Sequence, residues 1–274
     1  MRLVYELVRK AILDKLRDKV DAIVVYGSVN RPEDFAASVS DIDVAVVTRE
    51  KVSTEEKIGI YGDSELRLDV VFLTEEQLEE LAREGYPIAH YIARDGVVVY
   101  GSSALLERLR PAVTERTVRM LKKYSIASLA SAVELYLMGL AEESVSNLHK
   151  ALRHAIRWRA ARERGEVPIG NGEIAEASLE LGLDRTVLET FSELAEARKG
   201  KVEGRECKEM IERTLEALRV VGLFERATPW SMVEEEMRKS GRVLGVRPSL
   251  EGTRLLWKLT VYDEESGDYS TIEL

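Results

Sequence analysis

The alternation of apolar and polar positions divides the chain into regions of different periodicity. Residues 3–16 place Leu3, Val4, Leu7, Val8, Ile12 and Leu16 near helical spacing, with charged residues between them, so a first amphipathic helix is expected. An apolar run at 22–26 then stops at Gly27-Ser28, and after twelve further residues a second run opens at Asp41, its strand covering 42–47. Both read as strands, with Pro32-Glu33-Asp34 between them as the start of a short helix, since proline fits a first helical turn. Residues 54–60 read as helix and 65–73 (ELRLDVVFL) as a third strand, with Leu66, Leu68, Val70 and Phe72 on one face and Arg67, Asp69 and Val71 on the other. Thr74 with Gln77 forms a capping box that predicts a helix over 75–84, ended by Gly85-Tyr86-Pro87. Residues 88–94 fit no single period, and 96–101 read as a short strand.

Beyond residue 103 the period is helical. Helices are expected over 104–109, 115–138, 141–164, 174–197 with a break at Gly182, and 205–221, and their short connections imply antiparallel packing in a bundle. Residues 231–239 read as a helix, and 254–262 with 269–273 as a C-terminal hairpin. The expected organisation is a mixed αβ domain over 1–102, a helical bundle over 103–227 and a helix with a β-hairpin over 228–274.

The chemistry concentrates at the ends of the first three strands. Alternation in a strand puts Asp41 and Asp43 on one surface with Ile42 turned to the core, beside the Gly27-Ser28 turn. Carboxylates held this close repel unless a cation lies between them, and hard divalent ions take such oxygen ligands together with substrate phosphates. Taken singly, a Gly-Ser pair reads as a turn and Asp-x-Asp as solvated strand-edge charge. Taken with Asp69, the set reads as a metal and triphosphate site; Asp63 is the alternative third carboxylate.

Gly27-Ser28, Asp41-Ile42-Asp43 and Asp69, in this order and strand context, resemble the signature of the DNA polymerase beta-like nucleotidyltransferase superfamily, in particular its minimal nucleotidyltransferases. The resemblance covers about the first hundred residues and implies an α/β (α+β) nucleotidyltransferase domain with a mixed sheet. It implies that Gly27, Ser28 and Arg31 contact the triphosphate, expected to be ATP, and that Asp41, Asp43 and Asp69 are the catalytic carboxylates and hold Mg2+ or Mn2+. Asp69 would lie beside the acceptor hydroxyl. The sequence departs from the family after Ser28, where Val29-Asn30-Arg31-Pro32 replaces a small residue followed by Arg-Gly. The implied reaction moves a nucleoside monophosphate to a hydroxyl on a small molecule or a protein side chain; a non-catalytic nucleotide-binding or antitoxin-like interaction protein is the alternative. A homodimer is the assembly the resemblance implies.

As in kanamycin nucleotidyltransferase and HEPN-type proteins, a helical domain follows. Glu134, on a serine-bearing helical stripe with Ser125, Ser128 and Ser131, is the first candidate there for an acceptor-side base, ahead of Glu142 and Glu143. A basic stripe at Lys150, Arg153, Arg157 and Arg164 either meets an anionic substrate or the triphosphate or pairs with surface glutamates, the second reading being slightly favoured. His149 and His154 lack metal-pair spacing, and Trp230 and Trp257 read as packing anchors.

Composition adds context. The 274 residues carry 32% charged side chains and a net charge of −9, which disfavours nucleic-acid backbone binding. One glutamine and three asparagines, with abundant charge, match the bias of hyperthermophile proteins, so a thermophilic source is expected. The lone Cys207 fits a reducing cytoplasm. Neither a signal peptide nor a membrane span is expected, because charges interrupt the N-terminal stretch and Glu134 with several serines interrupts the longest apolar one.

Overall fold

The computed structural model describes residues 1–36, 39–62, 66–240, 242–263 and 266–274. Asp63, the alternative third carboxylate, and Glu65, the expected start of the third strand, lie outside them. The chain divides into two compact units, Met1–Val118 with Gly165–Glu173, and Arg119–Arg164 with Ile174–Leu274.

The first unit begins with α1 (Arg2–Leu16), followed by β1 (Val20–Tyr26), β2 (Ile42–Thr48), α2 (Thr54–Gly62), β3 (Leu68–Leu73), α3 (Glu75–Glu84), α4 (Pro87–Asp95), β4 (Val97–Tyr100) and α5 (Ala104–Arg108). The strands form one mixed sheet in the order β3-β2-β1-β4, with β2 and β3 parallel and the other pairs antiparallel. Strict alternation gives the sheet two apolar faces. On one, Ile23, Val25, Ile42, Val44, Val46 and Val70 pack with Val8, Ile12 and Leu16 of α1. On the other, Ala22, Val24, Tyr26, Ala45 and Val47 pack with Leu78, Ala82, Ala89 and Ile92 of α3 and α4.

The capping box of α3 forms as expected, with Thr74 Oγ1 accepting from Gln77 N–H and the Gln77 amide oxygen accepting from Thr74 N–H. Residues 88–94, ambiguous by period, are α4. Pro87 ends one helix in sequence terms, yet it occupies the first turn of the next, where its missing N–H has no intrahelical acceptor to lose. The short helix expected at Pro32–Asp34 does not form. That stretch is a turn closed by Asp34 N–H to Arg31 C=O at 2.9 Å, and a single 3-10 turn, Ser28–Asn30, comes before it.

The second unit contains most of α6 (Glu115–Leu137), then α7 (Ala141–Arg164), α8 (Asn171–Glu180), α9 (Arg185–Ala197), α10 (Gly204–Val221), β5 (Arg226–Ala227), α11 (Trp230–Lys239), β6 (Arg242–Glu251), β7 (Arg254–Tyr262) and β8 (Tyr269–Glu273). Helices α7, α9 and α10 pack on one another. Ser125 and Ser144 tie α6 to α7 by donating to Ala151 C=O and Ala132 C=O at 2.8 and 2.7 Å. The break expected near Gly182 separates α8 from α9.

The C-terminal β region is larger than the hairpin expected. β7 pairs with β8 as foreseen, but also with β6 and β5. Gly245 and Pro248 hide β6 from a strand reading; it lies at the sheet edge, where a proline costs no ladder bond. Trp230 and Trp257 are fully buried in edge-to-face contact at 5.2 Å, the packing role expected of them. Among the described residues no helix is long and apolar enough to cross a membrane.

Candidate active site

The ends of β1, β2 and β3 set the site. Tyr26 lies opposite Asp43 in the antiparallel pair, and Asp43 lies beside Asp69 in the parallel pair. Partners in register project from the same face, so Tyr26, Asp43 and Asp69 form a row across three strands, with neighbouring strands about 4.8 Å apart. Asp41 precedes β2 by one residue and is exposed, as is Asp69, while Asp43 is half-buried. The row lies on the face that α3 and α4 cover and just past its apolar packing: Ala45, Val47, Val71 and Leu73 continue the same alternation inward.

Gly27 joins the row to the turn. Its backbone, at φ 83° and ψ −161°, is in a region open essentially to glycine alone. A Cβ built there would stand 2.1 Å from Asp43 Oδ2. The missing side chain therefore leaves room for the carboxylate against the turn.

The segment after Ser28 departs from the family pattern, and each of its residues is accounted for. Val29 is buried in the core beneath α1. The Asn30 amide donates to Val25 C=O at 2.8 Å and to Asp95 C=O at 2.6 Å, and its oxygen accepts from the Tyr5 hydroxyl at 2.9 Å. Arg31 is largely buried between Asp34, at 2.7 Å, and Asp95. These two carboxylates hold its pKa up against the opposing effect of burial. Asp34 also accepts from Asn171 N–H at 3.0 Å, and Asp95 accepts from Gly27 N–H at 2.9 Å. Arg31 thus faces carboxylates belonging to its own domain.

Sequence reasoning missed Tyr26, Asn30 and Asp95. Tyr26 belongs to no motif, but its register with Asp43 follows from the alternation. Burial, then the fields of Asp43, Asp69 and Tyr91, push the Tyr26 phenol well above its usual value, so it stays protonated. Asp95 lies 68 residues from Gly27, and nothing local in the sequence connects them.

All three candidate ligands are carboxylates, a hard-oxygen set suited to Mg2+ or Mn2+ and poorly suited to softer metals. Among the described residues no three His, Cys, Asp or Glu side chains close into a metal cage. Mg2+ in phosphoryl-transfer sites is commonly held by one or two carboxylates with substrate phosphates completing the shell, and Asp43 with its neighbours fits that partial shell.

The candidates in the second unit fare differently. Steps of three residues fall 60° short of a full turn each, so Ser125, Ser128, Ser131 and Glu134 wind around α6 and do not form a stripe. Ser125 is buried, Ser131 is exposed, and Glu134 pairs with Arg247 at 3.4 Å. Arg164 pairs with Glu180 at 2.6 Å, but Arg157 is buried, so a surface pairing does not describe it. His149 is fully buried and His154 half-buried. Burial first, and cationic neighbours second, push both imidazoles well below their usual pKa.

Residues 10–104 match the family described as Polymerase beta, Nucleotidyltransferase. Among solved structures, a spectinomycin adenyltransferase from Enterococcus faecialis, solved with ATP and spectinomycin, aligns at a TM-score of 0.50 and 16% identity, covering 79% of this chain and 97% of that one. A nucleotidyltransferase-like protein from Exiguobacterium sibiricum 255-15 aligns at a TM-score of 0.33 and 15% identity, over 88% of this chain and 81% of that one. No curated protein matches the chain. At 16% identity the likeness to the adenyltransferase concerns the fold alone.

Proposed function

We propose that the chain, whose residues 10–104 are a polymerase beta nucleotidyltransferase domain, transfers a nucleoside monophosphate from a nucleoside triphosphate to an acceptor hydroxyl and releases pyrophosphate. The observation that carries the reading is the register of Asp43 with Asp69, directly against a turn where a Cβ would collide with Asp43. Two carboxylates on adjacent strands would be a repulsive arrangement in a purely structural sheet end. A divalent cation turns it into an attractive one.

In this reading Asp41 and Asp43 hold Mg2+ or Mn2+, and Asp69 lies on the acceptor side as a second ligand or as the base that takes the hydroxyl proton. The metal, when bound, neutralises charge that builds on the triphosphate. The acceptor oxygen attacks the α-phosphorus in line, its bond forming as that to the pyrophosphate oxygen breaks. Gly27 N–H is engaged by Asp95, so contact with the β- and γ-phosphates falls to Ser28 and the turn that follows it. Arg31, held by Asp34 and Asp95, braces the turn from behind. Tyr26 stays a hydrogen-bond donor beside Asp43.

The adenyltransferase of similar fold was solved with ATP and spectinomycin, which makes ATP and compounds of that kind the first substrates to test. A protein side chain is the second acceptor class. The test incubates the chain with α-labelled triphosphates, Mg2+ and an acceptor panel, measuring labelled product and pyrophosphate for the native chain and for Asp43→Asn. Transfer that Asp43→Asn lowers at least 100-fold is expected, on the scale that loss of one preorganised charged group has in such sites. Triphosphate binding without product or pyrophosphate across small-molecule and protein acceptors would favour the non-catalytic, antitoxin-like alternative.

A further inference from the structure

We propose that a trough between α6 and β6, in the second unit, docks an acidic amphipathic helix of a partner protein. The trough encloses about 440 Å3, and its floor is apolar: Ile126, Ala127 and Ala130 from α6, Pro248 and Leu250 from β6. Ala127 is exposed, while Ile126, Ala130 and Leu250 are half-buried. Positions 123, 126, 127 and 130 follow the i, i+3, i+4, i+7 pattern of a helix face that normally meets another element. Here the two alanines leave that face recessed and uncovered.

The rim carries the second observation. Arg119, Lys122, Lys123 and Arg247 surround the floor, on a chain whose net charge is −9. The Lys122 ammonium lies over the Trp158 ring at 5.6 Å, and Glu134 reaches Arg247 at 3.4 Å through an exposed, long contact. Among the described residues no carboxylate pairs with Arg119 or Lys123. Four cations around an apolar floor complement a ligand that is acidic along its flanks and apolar along one stripe. From Arg119 to Ala130 the wall runs roughly 16 Å, about three helical turns. That length suits a helix anchored by apolar residues at i, i+3 or i+4, and i+7.

The same features disfavour other occupants. Among the described residues no aromatic side chain lines the trough, so it offers no stacking platform for single-stranded nucleic acid. A floor sunk below its cations does not present apolar surface to a bilayer.

The experiment uses the full chain and a fluorescein-labelled 14-residue peptide with leucines at i, i+3 and i+7 flanked by glutamates. A scrambled peptide of the same composition is the control, and binding is read by fluorescence anisotropy. The patterned peptide is expected to bind at least tenfold tighter than the scrambled one and to weaken as salt rises. Ala127→Glu should weaken it at least tenfold with the melting temperature unchanged, and Lys123→Glu should weaken it and flatten the salt dependence. Nucleotidyl transfer should be the same in both variants, so this outcome stands apart from the fate of the proposed reaction. Equal binding of the two peptides, or indifference to both substitutions, would overturn the proposal. So would preferential binding of oligouridylate RNA or of phosphatidylserine vesicles that Ala127→Glu abolishes, or self-association of the chain that the same variant removes.

Discussion

Substituting alanine at Gly27 separates the cost of a strained backbone from the cost of displacing a carboxylate. At φ 83° and ψ −161° an L-residue pays about 1–3 kcal/mol in backbone strain. The new Cβ would also lie 2.1 Å from Asp43 Oδ2. Because that oxygen is the far end of a side chain, rotating it away is cheap in stability, but it carries the oxygen roughly 1 Å or more from its place, and misplacement on that scale can lower a rate about 100-fold. Gly27→Ala should therefore lose about 1–3 kcal/mol in urea unfolding and about 100-fold in labelled transfer. Gly139→Ala is the matched control: its φ is +79°, and a Cβ there meets nothing within 4 Å. It should lose a similar 1–2 kcal/mol from the left-handed backbone alone and keep its transfer rate. If Gly27→Ala transfers within threefold of Gly139→Ala, Asp43 does not depend on the open space at Gly27, and the reasoning fails.

Two further expectations follow from the buried charges. Asp95→Ala removes one of two carboxylates from the largely buried Arg31 and frees Gly27 N–H, so urea unfolding should show a loss toward the lower end of the roughly 3–5 kcal/mol typical of a broken buried pair, together with a raised KM for triphosphate; a variant as stable as the native chain with unchanged KM would remove Asp95 from the account. His149, buried, and His154, half-buried, both have depressed pKa values, beside Arg153, Arg157 and, for His149, Arg198. The unfolded chain takes up these protons near pH 6.5 and the folded chain does not. Their contribution to stability is therefore complete above that pH and declines as pH falls below it, by up to about 1.4 kcal/mol per pH unit for each imidazole. His149→Phe, which keeps a ring against Phe191 at the 4.8 Å stacking position, should flatten the stability profile between pH 6.5 and 5; an unchanged slope would show that His149 titrates normally.

The carboxylate row could be read from the sequence because a strand has a period of two. Asp41 and Asp43 flank Ile42, Asp69 alternates with Leu68 and Val70, and the structure brings Asp43 and Asp69 into register. The capping box of α3 could be read for a similar reason, its chemistry lying within four residues. What sequence reasoning missed depends on contacts far along the chain or on context. Asp95 reaches Gly27 across 68 residues, and α4 begins with a proline that reads equally well as a stop. Pro248 argues against a strand until β6 is seen at a sheet edge. The serine series ending at Glu134 failed for a geometric reason, since three-residue steps drift around a helix by 60° each.

The central claim is that Asp41, Asp43 and the Gly27-Ser28 turn hold a metal–triphosphate complex. Calorimetric titration with a non-hydrolysable ATP analogue, with and without Mn2+, tests it without requiring the acceptor. The native chain should bind the Mn2+ complex at least tenfold tighter than the metal-free analogue, and Asp41→Asn and Asp43→Asn should each erase that difference. Equal affinity with and without Mn2+ in the native chain, or a preference that survives both substitutions, would contradict the account.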